Sequence, residues 1–213
     1  MPNFAIEFFH TPNTRSTGTR ALLEELAADY EMHVLNMKAG EQRQADYLAI
    51  NPMGKVPAIR HGDALITEQT AIFIYLADHF SSAGLAPPIG DPLRGPYLRW
   101  LAFYGSSFEP AVVDKTMKRE AGAAIMSPYG DFDTMLATLT AQLDIGPWIL
   151  GATFTAADVL WGTALSWTTQ FELVPELPVI RAYIDRVLAR PAMQRAAASD
   201  AALAVALAAA LEG

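Results

Sequence analysis

Residues 51–78 constrain this chain more than any other stretch: NPMGKVPAIRHGDALITEQTAIFIYLAD. Pro57 has no amide hydrogen, so in a sheet it belongs at the start or edge of a strand. Its ring also holds the preceding Val56 extended. A backbone fixed in this way can pair with a peptide-like ligand as an added strand would. Gly62-Asp63 is a turn dipeptide between two short apolar runs, which predicts a hairpin. Thr67 is then expected to cap a helix that has Glu68 and Gln69 in its first turn. Ala71, Ile72, Tyr75, Leu76 and His79 follow at the spacing of one helical face.

Upstream, residues 4–9 are apolar and aromatic enough for a buried strand, and 10–18 form a polar loop. A helix follows with Ala21, Leu22, Leu26 and Tyr30 inward, then a short strand at 32–35 and a short helix within 40–50. The order β-α-β-α-β-β-α requires a parallel pair with a right-handed crossover, extended by an antiparallel hairpin. A mixed four-stranded sheet is therefore expected over residues 1–80.

Residues 81–96, rich in Pro and Gly, read as a linker. From there to residue 213 the pattern is helical, with segments at 93–108, 111–126, 132–143 and 179–188 and a last helix from Pro191. Met135, Leu136, Leu139 and Leu143 form one stripe. Thr155-Ala156-Ala157-Asp158 has the form of a capping box. The Ala-rich end, 196–211, reads as a packed or capping helix. The expected architecture is an α/β domain (1–80), a linker (81–96) and an all-helical domain (97–213).

Composition narrows the function. A formal charge of −8 disfavours nucleic acid or an anionic membrane as partner. No apolar run has the length and flanks of a membrane span, and MPNFAIEFF lacks the basic start of a signal peptide, so a cytoplasmic protein is expected. The chain has no cysteine, which removes disulfides, a CxxC pair and a protein thiol nucleophile. His10, His33, His61 and His79 stand apart, without metal-ligand spacing, so no metal site is expected.

Four segments, in this order, carry a resemblance: FFHTPNTRSTGTRALLEEL, NPMGKVPAI, ITEQTAIFIYLAD and FTAADVLWG. Together they resemble the cytosolic glutathione S-transferases of bacterial type over nearly the whole chain. The resemblance implies a thioredoxin-like N-terminal domain with a cis Val56-Pro57 bond and an all-α C-terminal helical bundle. It also implies a homodimer and an active site in the cleft between domains.

Glutathione carries two carboxylates, an amine and a thiol that titrates at about 8.5 when free, so a site must hold the peptide and favour the thiolate. Val56, with Pro57 behind it, can offer its backbone to the cysteinyl unit. Glu68 can take the amine, and amides at the start of its helix can take the γ-glutamyl carboxylate. Lys55 can meet the glycyl carboxylate. These positions match the family's glutathione contacts, except that Gln69 stands where the family usually has Ser. For the sulfur, the family places Tyr, Ser or Cys after the first strand. Here the hydroxyls are Thr14, Ser16 and Thr17. Ser16 resembles the theta-type serine position, with Thr14 as the alternative; Arg15 falls on the beta-type cysteine position. Tyr104, Phe108 and Trp167 are expected in an apolar pocket for the second substrate.

The expected function is conjugation of the glutathione thiolate to small, apolar electrophiles, with glutathione as cosubstrate and no metal. Two alternatives stand beside it. One is a non-catalytic glutathione-transferase-like binding or interaction module. The other is a glutathione-dependent peroxidase, isomerase or dehalogenase.

Overall fold

The computed structural model describes residues 5–120 and 122–210. It divides into two compact units, Met1–Ala83 with Pro191–Gly213, and Gly84–Arg190. The last helix thus belongs by its contacts with the sheet unit, whereas its all-helical composition groups it with the preceding helices.

The first unit is built on a four-stranded sheet of order β2-β1-β3-β4. Its strands are β1 (Ile6–His10), β2 (Tyr30–Val34), β3 (Ala58–His61) and β4 (Ala64–Ile66). β1 and β2 are parallel, joined through α1 (Ser16–Glu25); β3 runs antiparallel to β1, and β4 to β3. This is the mixed four-stranded sheet expected from the element order, in the thioredoxin-like arrangement that the resemblance implies. Phe4, placed in the first strand by its apolar neighbours, lies outside the described residues, and the strand extends instead to His10. Tyr30, expected at the inner face of the first helix, opens β2, because α1 stops at Glu25.

Alternation along β1 explains the packing. Phe9 points to the face covered by α2 (Ala45–Ile50), in a cluster with Tyr47 and Ala58. Ile6, Phe8 and His10 share the other face. α1 packs on both α3 (Gln69–His79) and α9 (Pro191–Ala209). In α3 the buried positions are Ile72, Phe73, Leu76 and Ala77, whereas Ala71 and His79 are exposed. The buried stripe is rotated from the expected one because the helix is apolar nearly all round, so periodicity could not choose its inner face.

The second unit contains α4 (Arg94–Phe103), a π-helical turn (Tyr104–Phe108), α5 (Glu109–Thr116), α6 (Phe132–Leu143), α7 (Ala156–Gln170) and α8 (Pro178–Leu188). The helix expected over 111–126 ends at Thr116, and Lys118 takes a positive φ of 53°. Trp161 is the centre of the core, edge-on to Trp100, Tyr104 and Phe108 at 5.0–6.1 Å, with its Nε1–H donating to the Trp100 carbonyl at 3.1 Å. Gly162 lets α7 approach α8: a Cβ there would lie 2.5 Å from Cγ1 of Val187. The Thr155/Asp158 capping box is formed.

Candidate active site

The segment before β3 is held from behind. The Tyr47 hydroxyl and the Asn51 side-chain amide both donate to the Lys55 carbonyl, at 2.6 and 2.8 Å. Burial pushes the Tyr47 phenol up, so it keeps the proton it donates. Gly54 closes the turn with φ +57°, where a Cβ would stand 2.7 Å from the Gln42 carbonyl; only glycine fits. The Val56-Pro57 bond is cis. Pro57 is buried, Val56 partly so, and the Lys55 side chain is exposed. The Val56 amide and carbonyl make no hydrogen bond among the described residues. They are an unpaired strand edge next to a fixed turn.

The start of α3 is unusual. Glu68, rather than Thr67, is the N-cap, and its backbone sits at φ 59°, ψ 112° with no side-chain cap bond. For a residue with a Cβ this is a strained conformation, costing about 1–3 kcal/mol. The Glu68 carboxylate is exposed and has no partner among the described residues. The first intrahelical bond runs from the Ile72 amide to the Glu68 carbonyl at 3.0 Å, so the amides before Ile72 precede the helical ladder. Gln69 reaches across to the β1–α1 loop, donating from Nε2 to the Arg15 carbonyl at 2.9 Å. Its Oε1 is buried without a partner among the described residues.

That bond ties the α3 start to the loop that carries the hydroxyls. Asn13 turns this loop with φ 59°, and Arg15, exposed, is the N-cap of α1. Thr14 is half-buried; its Oγ1 lies 2.7 Å from the Thr11 carbonyl and 2.8 Å from Ser16 Oγ. Ser16 is fully buried. Its Oγ accepts from the Thr11 amide at 3.1 Å, and the Thr11 carbonyl (2.9 Å) and His10 Nδ1 (2.8 Å) are also in reach. Ser16 therefore faces inward with every lone pair and its proton engaged. Of the two leading hydroxyls, Thr14 is the one that solvent or a ligand reaches. Thr17 donates instead to Asp200 at 2.7 Å.

His10 and Asp200 were not among the residues picked out by sequence. His10 Nε2 lies 3.0 Å from Asp200 Oδ1, which also accepts from Arg20 at 2.7 Å. The signal was present in weak form: His10 keeps the alternation of Ile6 and Phe8, and Asp200 is the one charged residue within 196–211. Among the described residues no group of three or more His, Cys, Asp or Glu is placed to hold a metal.

The residues expected in the apolar pocket, Tyr104, Phe108 and Trp167, all belong to the second unit. Tyr104 and Phe108 are buried around Trp161, where the volume and spacing of an i, i+4 pair fill the core. The Tyr104 hydroxyl donates to Glu109 at 2.6 Å. Trp167 is partly exposed and packs on Phe171 with ring centres 5.0 Å apart. An open cavity of about 510 Å³ in this unit is lined by other residues, among them Leu93, Arg99, Trp100 and Ile145.

Residues 5–78 match the family model "Glutathione S-transferase, N-terminal domain". The chain is 27% identical to the glutathione S-transferase GstA of Escherichia coli O157:H7 over 198 residues, 92% of this chain and 98% of that one. Its fold is similar to a glutathione transferase from Methylococcus capsulatus, with TM-score 0.79 and 29% identity, covering 92% and 99% of the two chains. It is also similar to a sphingomonad glutathione S-transferase complexed with glutathione, with TM-score 0.74 and 27% identity over 92% and 98%. By sequence and fold the chain is similar over most of its length to glutathione S-transferases, and its residues 5–78 match the N-terminal domain of that family.

Proposed function

We propose that this protein binds glutathione on its sheet unit and transfers the thiolate to a small apolar electrophile. One observation carries the reading: a strained Glu68 cap with an unpartnered carboxylate, in the same unit as the unpaired backbone of Val56. Strain of this kind persists where the surroundings hold a residue for a ligand. In the proposed mode the Val56 amide and carbonyl pair with the cysteinyl unit and Glu68 takes the amine. The first-turn amides of α3 and the second Nε2 hydrogen of Gln69 take the γ-glutamyl carboxylate. Lys55 reaches the glycyl carboxylate. Pro57 keeps the strand edge open by lacking a donor of its own. Thr14 faces the sulfur, and the exposed Arg15 adds positive charge near it. Trp167 is the remaining candidate for the apolar pocket.

Such a site works by proximity and by stabilising the thiolate, without a covalent enzyme intermediate. A cytoplasmic homodimer is the proposed setting, with neither nucleic acid nor membrane as partner. The inward-facing Ser16 favours one competing reading, a glutathione-binding module without transferase activity. Calorimetric titration with glutathione and conjugation of a chloronitrobenzene separate the two. Saturable binding with turnover is expected. Binding without turnover across several electrophile classes selects the module, and absence of binding overturns both.

A further inference from the structure

The buried end of the hydroxyl cluster has the makings of a proton path. Asp200 accepts from three sides: His10 Nε2 at 3.0 Å, Arg20 at 2.7 Å, and Thr17 on the other oxygen at 2.7 Å. Burial pushes its carboxyl up, but these donors hold it below its ordinary value, so it is ionised at neutral pH. A carboxylate only accepts, which fixes the His10 proton on Nε2 in the neutral ring and leaves Nδ1 as an acceptor. Ser16 Oγ lies 2.8 Å from that Nδ1, and Thr14 Oγ1 lies 2.8 Å from Ser16 Oγ. The chain Thr14–Ser16–His10–Asp200 therefore runs unbroken from a half-exposed hydroxyl to a buried ion pair.

We propose that His10, oriented by Asp200, is the base for the glutathione thiol and acts through Ser16 and Thr14. The inference rests on the glutathione reading above and adds the origin of the thiolate to it. In the step, the S–H bond breaks and its proton passes to Thr14 Oγ1. Thr14 passes its own proton to Ser16, and Ser16 passes its own to His10 Nδ1. The products are a thiolate that accepts from Thr14 and an imidazolium facing the Asp200 carboxylate. No atom or electron is gained or lost, and the proton leaves later with product or to solvent. The Thr11 carbonyl, within reach of both hydroxyls, gives them a resting acceptor when no thiol is present. Asp200 from α9 faces His10 directly, Arg20 from α1 shares that carboxylate, and Tyr30 of β2 lies in the field of Arg20, Glu24 and Asp200. His10 is buried, so no solvent route competes with Ser16.

The arrangement gives Ser16 a positioning role, and Asp200 another, that a merely structural part would not have. The test is the pH profile of kcat/KM for chloronitrobenzene conjugation, with ultraviolet titration of the bound thiol, in wild type, Ser16→Ala, Asp200→Asn and the double variant. Each single variant should move the thiol titration to higher pH and lower kcat/KM about tenfold near pH 6.5, with little loss at alkaline pH. The double variant should lose no more than either single one, because both cut one path. Glutathione affinity should stay within about twofold in all three. Arg195→Ala, which removes the α1–α9 surface pair with Glu24, should leave activity and profile unchanged. If Asp200→Asn fails to fold, Ser16→Ala alone decides, since it leaves the contacts of Asp200 with Thr17 and Arg20 in place. A uniform loss at every pH, or an unmoved titration in Ser16→Ala, overturns the relay while leaving the transferase reading intact. A wild type that binds no glutathione overturns both.

Discussion

Two helix starts, α7 in the helical unit and α3 beside the sheet, meet the same need in opposite ways. Both leave first-turn amides without intrahelical partners. At α7, Thr155 is extended and its side chain accepts from the Ala157 amide, while Asp158 accepts from the Thr155 and Ile149 amides and from the Tyr183 hydroxyl at 2.7–2.8 Å. Every group there is buried and paired. At α3, the cap residue is strained, exposed and unpartnered. The first arrangement adds stability and has no vacancy for a ligand. The second gives up stability and keeps donors and an acid available. The difference teaches which helix start serves folding and which serves binding.

The comparison can be broken most sharply at Asp158. Asp158→Ala leaves two amides and a hydroxyl buried without an acceptor and should cost about 4 kcal/mol of stability by urea denaturation. Glutathione affinity of the folded fraction should not change. Glu68→Gln should do the reverse, weakening glutathione binding roughly tenfold or more by calorimetry, since a charge-assisted bond to the amine is lost. Its urea midpoint should match wild type. Glu68→Gly should raise stability by about 1 kcal/mol by relieving the positive φ, yet lose binding as the Gln variant does. A stabilised variant that still binds would show that the strain at Glu68 serves no ligand.

α1 lies between these cases, and its test is the mildest. In its first turn the Ser16 amide donates to Thr14 Oγ1 and the Thr17 hydroxyl donates to Asp200 of α9, an acid near a helix N-terminus. Burial raises the Asp200 carboxyl, but donors from His10, Thr17 and Arg20 leave it below its ordinary value of 3.8. A folded value below the unfolded one stabilises the fold above 3.8 and loses that contribution as pH falls through the lower value. Hydrogen exchange in α9 should therefore quicken below about pH 4, ahead of exchange in β1. Equal protection in both at that pH would count against Asp200 as the tie.

Much of this was legible beforehand, for reasons that differ by element. The capping box at Thr155, the hairpin turn at Gly62-Asp63 and the bounds of α6 follow from interactions a few residues apart, so spacing alone specifies them. The β1–β2 crossover follows from chain handedness. Thr67 as cap did not hold, because the positive φ of Glu68 is imposed by what surrounds it and not by local preference.

The sequence by itself determined the mixed sheet, the helical remainder and the likeness to glutathione S-transferases, and it named the polar groups around Val56 and Glu68 as candidates. Only the tertiary structure decided which hydroxyl is open and which is buried. It also brought Asp200 to His10 across 190 positions of chain, removed Tyr104 and Phe108 into the core around Trp161, and turned Gln69 toward the Arg15 carbonyl. The reason is physical: local spacing sets backbone geometry, whereas burial and long-range hydrogen bonds depend on which surfaces meet when the elements pack.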